Sequence, residues 1–472
     1  MTIRTTLDDI HEYYRRLIPA NWEGNVVHHY EHIKDISLPP PLVSQLDTEV
    51  QRIIEGPAGN AIKAFLPEGL PVKETVLNSL IHTIRHCYGA TRDNVGGDSF
   101  ASRGYSEIAS HVERYQVSSP DIYVVVNFGP RTPVNPTHTA TPIVDGWIDT
   151  EMSPLVLGVE GENEIHSNCR TTYKILPYSS TTIQSFNNIE YEIRCLMASY
   201  GACLQQPVVI RNVFVKVVPL DILPVEAIAF RLRGFNITVP DDHYFRSSAW
   251  VFQRHRQDVN SAVDYEGIRN WYAYLKADGD RLFRHEMLLS GFSHILLALH
   301  DNCIENRLRL ASGLLTSISG LEGILLEGSE ENCTRYFCQL GAALYRDFAG
   351  TEFCEDPDRI MSDADARRFF KILYRIRSMA AHGSKDISPH FDEVRAGSPL
   401  KQLISLLNIG GGFSTTNLIF AFCLTMRHVF AVLNARFAFP NLTRVDLLNR
   451  YRIRSPSRIE RVVGCLRKAI KS

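Results

Sequence analysis

The residues best equipped for chemistry lie in one segment, Asp365-Ala-Arg-Arg-Phe-Phe-Lys-Ile-Leu-Tyr-Arg-Ile-Arg-Ser-Met-Ala-Ala-His-Gly383. Its periodicity predicts a helix. With Arg377 set at 0° on an ideal helix, Phe369, Phe370, Leu373, Tyr374, Ile376, Ala380 and Ala381 fall between about −100° and +60°, an apolar face with Arg377 at its centre. Arg368, Lys371, Arg375, Ser378 and His382 fall between about 100° and 180°, a basic stripe ending in a histidine. An arginine offers two parallel N–H donors to an oxyanion. A histidine side chain takes and gives a proton near neutral pH. The two types together suit proton transfer beside an anionic centre. A structural reading stands beside this one. An arginine on an apolar face stays charged and needs a partner, and Glu322 in Leu321-Glu322-Gly323-Ile324 is the candidate, while the stripe is equally a solvated helix face.

The elements that must hold this segment are helical. From Arg281 onward strand signals vanish, and helix-period runs cover Arg281–His300, Arg307–Leu326, Cys333–Tyr345, Asp363–His382, Leu400–Leu407 and Thr415–Phe437. Gly383 and Gly410-Gly411-Gly412 are natural stops. We read residues 281–440 as an all-α helical bundle. Residues 441–472 hold nine Lys and Arg against Asp446 and Glu460, a basic tail read either as a solvated helix or as a phosphate-contacting patch. Ser455-Pro456 suits the cap and first turn of its helix.

Residues 1–275 alternate differently. The runs Ile122–Phe128, Val208–Val218 and Ala227–Leu232 are β-branched or aromatic and bounded by turn residues, with helical stretches at Val72–His86 and Glu190–Ser199. This region is expected to be α+β with an antiparallel sheet, and Lys276-Ala-Asp-Gly-Asp280 is expected to be the hinge after it. All four tryptophans (Trp22, Trp147, Trp250, Trp271) fall here and read as core or groove residues.

Composition narrows the function. Fifty Lys and Arg against fifty-two Asp and Glu give a net charge of −2, so a polyanion site must be a local patch rather than the whole surface. Ten cysteines are scattered with no CxxC pair, so a zinc or redox framework is not expected and thiols are expected reduced. The chain shows no P-loop, HExxH helix or GxSxG elbow. Pro120-Asp121 followed by Thr172-Tyr173-Lys174 lacks the strand carboxylate that a metal-dependent nuclease needs. His29 and His32 read as surface histidines, and no metal or cofactor is expected. The N-terminal run has acids by position 8 and no apolar stretch, unlike a signal peptide. The longest uncharged run, Asn408–Met426, contains three glycines, so no membrane segment and a cytoplasmic location are expected.

Tyr374-Arg-Ile-Arg-Ser-Met-Ala-Ala-His-Gly383 resembles the R-x4–6-H signature of HEPN domains, with Arg377 and His382 in the two signature positions. The flanking Tyr374, Arg377-Ser378 and His382-Gly383 look most like the ApeA-type branch, as does the order of helices with Leu321-Glu322 on the second long one. The resemblance covers residues 281–440. It implies metal-independent RNA cleavage in a cleft shared by two subunits, with Arg377 and His382 catalytic. Arg368, Lys371, Arg375 and Ser378 would contact RNA, and Glu322 and Tyr374 would support them. It also implies an N-terminal sensor or targeting module, as in phage-defence proteins, answering to a phage-derived trigger. The implied partners are tRNA or other structured RNA and a second copy of the chain. A non-catalytic HEPN module that binds RNA or scaffolds a partner is the alternative, and an antitoxin-like HEPN partner a third. Arg377 and His382 are five residues apart, about 140° round one helix, so they do not sit side by side on it. Either the helix loosens at Gly383, or two copies of the motif meet across a two-fold axis.

Overall fold

The structure, a computed structural model, describes residues 3–17, 36–65, 69, 71–89, 113, 121–129, 141–150, 170–177, 183–204, 208–217, 264–300, 306–326, 333–352, 360–387 and 394–453. His29, His32, Trp22, Trp250, the Ala227–Leu232 run and the tail beyond Ile453 lie outside them. The chain divides into two compact units, one drawn mainly from residues 1–197, the other mainly from residues 270–472.

The first unit opens with four helices, α1 (Ile3–Leu17), α2 (Pro40–Glu55), α3 (Pro57–Phe65) and α4 (Val72–Gly89). Then come β1 (Asp121–Gly129), β2 (Thr141–Pro142), β3 (Trp147–Thr150), β4 (Arg170–Pro177), α5 (Ile183–Leu204) and β5 (Val209–Val217). The strands form one sheet in the order β2-β3-β4-β1-β5, every neighbouring pair antiparallel. β1 is central. Val124, Val125 and Val126 are all buried, so both of its faces are covered, which is why this strand reads as a continuous β-branched run rather than an alternating one. β4 and β5 both run against β1 and therefore parallel to each other, which requires the crossover that α5 provides.

The Thr172-Tyr173-Lys174 stretch lies on β4, and Lys174 is taken up structurally. Its Nζ donates to Glu192 Oε2 of α5 at 2.6 Å, and Trp147 Nε1 donates to the same oxygen at 2.9 Å. Trp147 is thus a core residue with its polar edge satisfied.

The second unit is helical: the end of α6 (Tyr265–Lys276), α7 (Gly279–His300), α8 (Asn306–Leu326), α9 (Cys333–Glu352), α10 (Asp363–Ala381), α11 (Pro399–Leu406), α12 (Thr415–Phe437) and α13 (Arg444–Arg450). The stretch expected to be a hinge, Lys276–Asp280, is instead a tight capped turn inside this unit. Asp278 Oδ1 accepts from the N–H groups of Asp280 and Arg281 at 3.0 and 3.3 Å, satisfying orphan donors at the start of α7. The end of α6 already belongs to the bundle. Trp271 stacks on Phe437 of α12 at 4.4 Å, and Arg281 sits 4.0 Å from the Tyr274 ring while donating to its carbonyl at 2.9 Å.

α7 and α8 form a hairpin packed closely through glycines. A Cβ at Gly320 would lie 2.6 Å from the Leu288 nitrogen, and one at Gly291 would lie 2.3 Å from the Ser317 nitrogen. α12 is long and apolar enough to cross a membrane by composition, and 78% of its most apolar window is buried within the fold. Its buried Arg436 turns back on the helix end, donating to the Phe439 carbonyl and, at 2.9 Å, to that of Leu442. A cation bonded to carbonyls just past the last turn is the usual complement to a helix C-terminus.

Three helices end in the same way. In α10, Ser384 N–H donates to the Met379 carbonyl and Gly383 N–H to Ala380; in α11, Ile409 to Ile404 and Asn408 to Ser405; in α13, Ile453 to Leu448 and Arg452 to Asn449. This paired closure needs a left-handed residue after the cap, here Gly383 (φ 63°), Asn408 (φ 55°) and Arg452 (φ 53°).

Candidate functional site

α10 starts at Ser362, whose hydroxyl accepts from Asp365 N–H at 3.2 Å, with Asp363 and Asp365 complementing the helix dipole. Its buried side is aromatic at the N-terminal half. Phe370 meets Phe337 of α9 edge-on at 5.7 Å, across Gly341, where a Cβ would stand 2.7 Å from the Phe370 ring. Phe369 meets His428 of α12 at 5.5 Å. The helix is thereby fixed in rotation, and that rotation sets where Arg377 and His382 point.

Arg377 reaches α8, antiparallel to α10. Its Nη2 lies 3.3 Å from Glu322 Oε2 and its Nε donates to Ser319 Oγ at 3.4 Å. The guanidinium also sits 5.6 Å from the ring of Tyr374, which in turn packs 5.8 Å from Phe337. The pairing with Glu322 is the one that the sequence suggested. The surroundings are not. The buried residues of α10 are Ala366, Phe369, Phe370, Ile372, Leu373, Ile376 and Ala380, while Ala381 is exposed. The buried arc is rotated away from Arg377, which stands on its shoulder, not at its centre. The side chain is 32% exposed and that of Glu322 15%. Burial and the Glu322 carboxylate both push the nearby Cys333 thiol upward, while Arg377 pulls it down, so Cys333 is a protonated neighbour of this pair.

Arg368, Lys371, Arg375 and His382 are exposed and Ser378 is half-buried. Arg375 Nη1 donates to Gln402 Oε1 of α11 at 3.2 Å. His382 is the C-cap of α10, with φ −94° and ψ 5°, and the closure around Gly383 follows at once. The helix therefore does not loosen at its end; it stops in a hydrogen-bonded motif that fixes the His382 backbone. Arg307, at the start of α8, donates to the Gly383 carbonyl at 3.4 Å and adds a cation there that helix periodicity could not reveal. Ser319 was also missed, although it lies one turn before Glu322 on the same helix face.

Within one chain, Arg377 turns toward α8 and His382 lies on the solvent stripe. Five residues separate them, about 7.5 Å along the axis. The chain brings together Arg377, Glu322, Ser319 and Tyr374, and separately presents His382 with the basic stripe. Among the described residues, no three His, Cys, Asp or Glu side chains converge as metal ligands would.

Comparison with known proteins finds no matching family model, no similar curated protein and no similar solved structure.

Proposed function

We propose that this chain is a HEPN-type, metal-independent endoribonuclease that cleaves tRNA or another structured RNA in the cytoplasm, as the toxin of an abortive antiviral response. In this reading a phage-derived trigger acts through residues 1–275. The observation that carries the proposal is a single helix that holds an arginine by a carboxylate and a hydroxyl while ending in an exposed histidine, its backbone set by the helix cap, beside exposed cations.

The chemistry follows from the groups. The ribose 2′-oxygen attacks the adjacent phosphorus, the P–O5′ bond breaks, and the products carry a 2′,3′-cyclic phosphate and a 5′-hydroxyl. His382 takes the 2′ proton or supplies one to the leaving oxygen. Ser319 and Glu322 engage Nε and Nη2 of Arg377, which leaves its Nη1 donors for the phosphorane oxygens. Arg368, Lys371 and Arg375 draw in the RNA backbone. Because Arg377 and His382 diverge within one chain, the working cleft pairs Arg377 of one subunit with His382 of the other in a homodimer.

Purified protein incubated with total cellular RNA in EDTA should give fragments with these ends. Strict Mg2+ dependence with 5′-phosphate products would overturn the proposal. The engagement of Arg377 by Glu322 and Ser319 also favours a second reading, a non-catalytic HEPN protein that binds RNA or scaffolds a partner. That reading expects no cleavage by the wild type and unchanged RNA binding in His382→Ala.

A further inference from the structure

At the N-terminal end of α10, some ten residues before Arg377, the second unit contains a cavity of about 320 Å3. α9 contributes Arg335 and Arg346, α10 contributes Asp363 and Arg367, and the end of α13 contributes Tyr451 and Arg452. Part of the wall is apolar, from Ala342 and Ile453. Four guanidiniums from three helices thus face one lining carboxylate. Arg346 lies 3.5 Å from Asp363 and 3.8 Å from Asp347, and Asp347 also accepts from the Tyr451 hydroxyl at 2.7 Å. Asp363 and Asp347 are thus both engaged by Arg346. Arg367 and Arg452 make no ion pair among the described residues.

Arg452 is the informative member. α10 and α11 fill the left-handed closing position with Gly383 and Asn408, the residue types that tolerate it. α13 fills the same position with an arginine, which has no such tolerance. Helix termination does not require that choice, and it places a guanidinium on the cavity wall. Non-glycine residues held in such conformations cluster at ligand sites. Burial first, and then the Asp347 carboxylate that accepts its hydrogen bond, push the Tyr451 hydroxyl up to about 12, so it adds no negative charge to the wall.

We propose that this cavity binds the phosphate groups of a free nucleotide, with Arg367 and Arg452 as principal phosphate ligands and the Ala342–Ile453 wall against the base. Its volume falls in the range of small-molecule sites. That favours a nucleotide over the backbone of a folded RNA. The site is separate from Arg377 and His382, so the ribonuclease proposal stands or falls independently.

The test is calorimetric titration of the full-length protein with ATP, pyrophosphate and adenosine at low salt. ATP and pyrophosphate should bind, and adenosine should bind far more weakly. Arg452→Gly and Arg367→Ala should each weaken ATP by about tenfold, the loss of one charge-assisted phosphate contact. Arg452→Gly should melt no lower than the wild type, since glycine accepts the backbone conformation. Arg395→Ala, which removes an exposed cation elsewhere on the unit, should bind ATP like the wild type. No binding of ATP or pyrophosphate at millimolar concentration would overturn the assignment. So would wild-type ATP affinity in both Arg367→Ala and Arg452→Gly, equal weakening in Arg395→Ala, or binding of a short RNA that depends on Arg452 while ATP does not bind.

Discussion

Arg377 and Arg375 are two residues apart and belong to different environments. Arg377 is held by Glu322 and Ser319, whereas Arg375 is exposed and reaches only Gln402 among the described residues. Breaking a fully buried ion pair costs about 3–5 kcal/mol. Arg377 is a third exposed, so solvent screening brings the expected loss for Arg377→Ala down to about 1–2 kcal/mol. Adding Glu322→Gln should recover part of it, because the stranded carboxylate is removed. Thermal melts of the single and double variants check this. His382→Ala should abolish cleavage and leave the melting temperature in place, since the side chain is exposed and the cap is closed by backbone groups. Arg375→Ala should also melt close to the wild type. It should weaken RNA binding and flatten the logarithmic salt dependence by about one charge. An Arg375→Ala protein that melts below Arg377→Ala contradicts this placement of the two side chains.

Among the described helices, α7 and α8 pack backbone to backbone through their glycines. Gly320→Ala would force a methyl to within 2.6 Å of the Leu288 nitrogen, and backbone cannot yield as a flexible side chain does. The expected loss is about 1–3 kcal/mol, measurable by denaturant unfolding. The same hairpin holds a titrating group. His285 of α7 is buried against Trp271 and Tyr274, and its Nδ1 lies 2.8 Å from the Arg281 carbonyl. Burial drives it down to about 4 from the ordinary 6.5, with the Arg281, Arg436 and Arg284 charges adding to the effect. Below pH 6.5 the unfolded chain therefore takes up a proton that the folded chain refuses. Stability should fall as the pH drops from about 6.5 towards 4, by on the order of 3 kcal/mol across the window. In His285→Gln the slope should flatten. An equal slope in both proteins would place the acid sensitivity elsewhere.

For the molecule as a whole, the divergence of Arg377 and His382 makes assembly part of the proposed chemistry. If each cleft takes Arg377 from one subunit and His382 from the other, two inactive proteins can complement each other. Mixing Arg377→Ala with His382→Ala in equal amounts, under conditions of subunit exchange, pairs half of the chains into heterodimers with one intact cleft. Roughly a quarter of wild-type cleavage should return, since symmetric dimers carry two equivalent clefts. Fragment yield from a mixed sample, read beside sedimentation of the wild type, tests this. A monomeric wild type with full activity rules the shared cleft out.

The sequence by itself determined the helical series from Arg281 to Phe437, the central strand over Ile122–Phe128 and the edge strand over Val208–Val218. Period and turn residues are local signals, and the structure places elements over the same stretches. It also pointed to the Arg377–Glu322 pair, because a charge among apolar neighbours demands a partner and Glu322 stands on a neighbouring helix. Periodicity could not give the rotation of α10, which Gly341 and Phe337 set by admitting Phe370 on one side; that rotation moved Arg377 to the shoulder of the buried face. Nor could it show that Lys276–Asp280 is a capped turn within the bundle, since a hinge and a capped turn share the same Asp and Gly vocabulary. The gathering of Arg335, Arg346, Arg367 and Arg452 about one cavity was likewise decided only by tertiary structure, because those residues span more than a hundred positions and meet only when three helices pack.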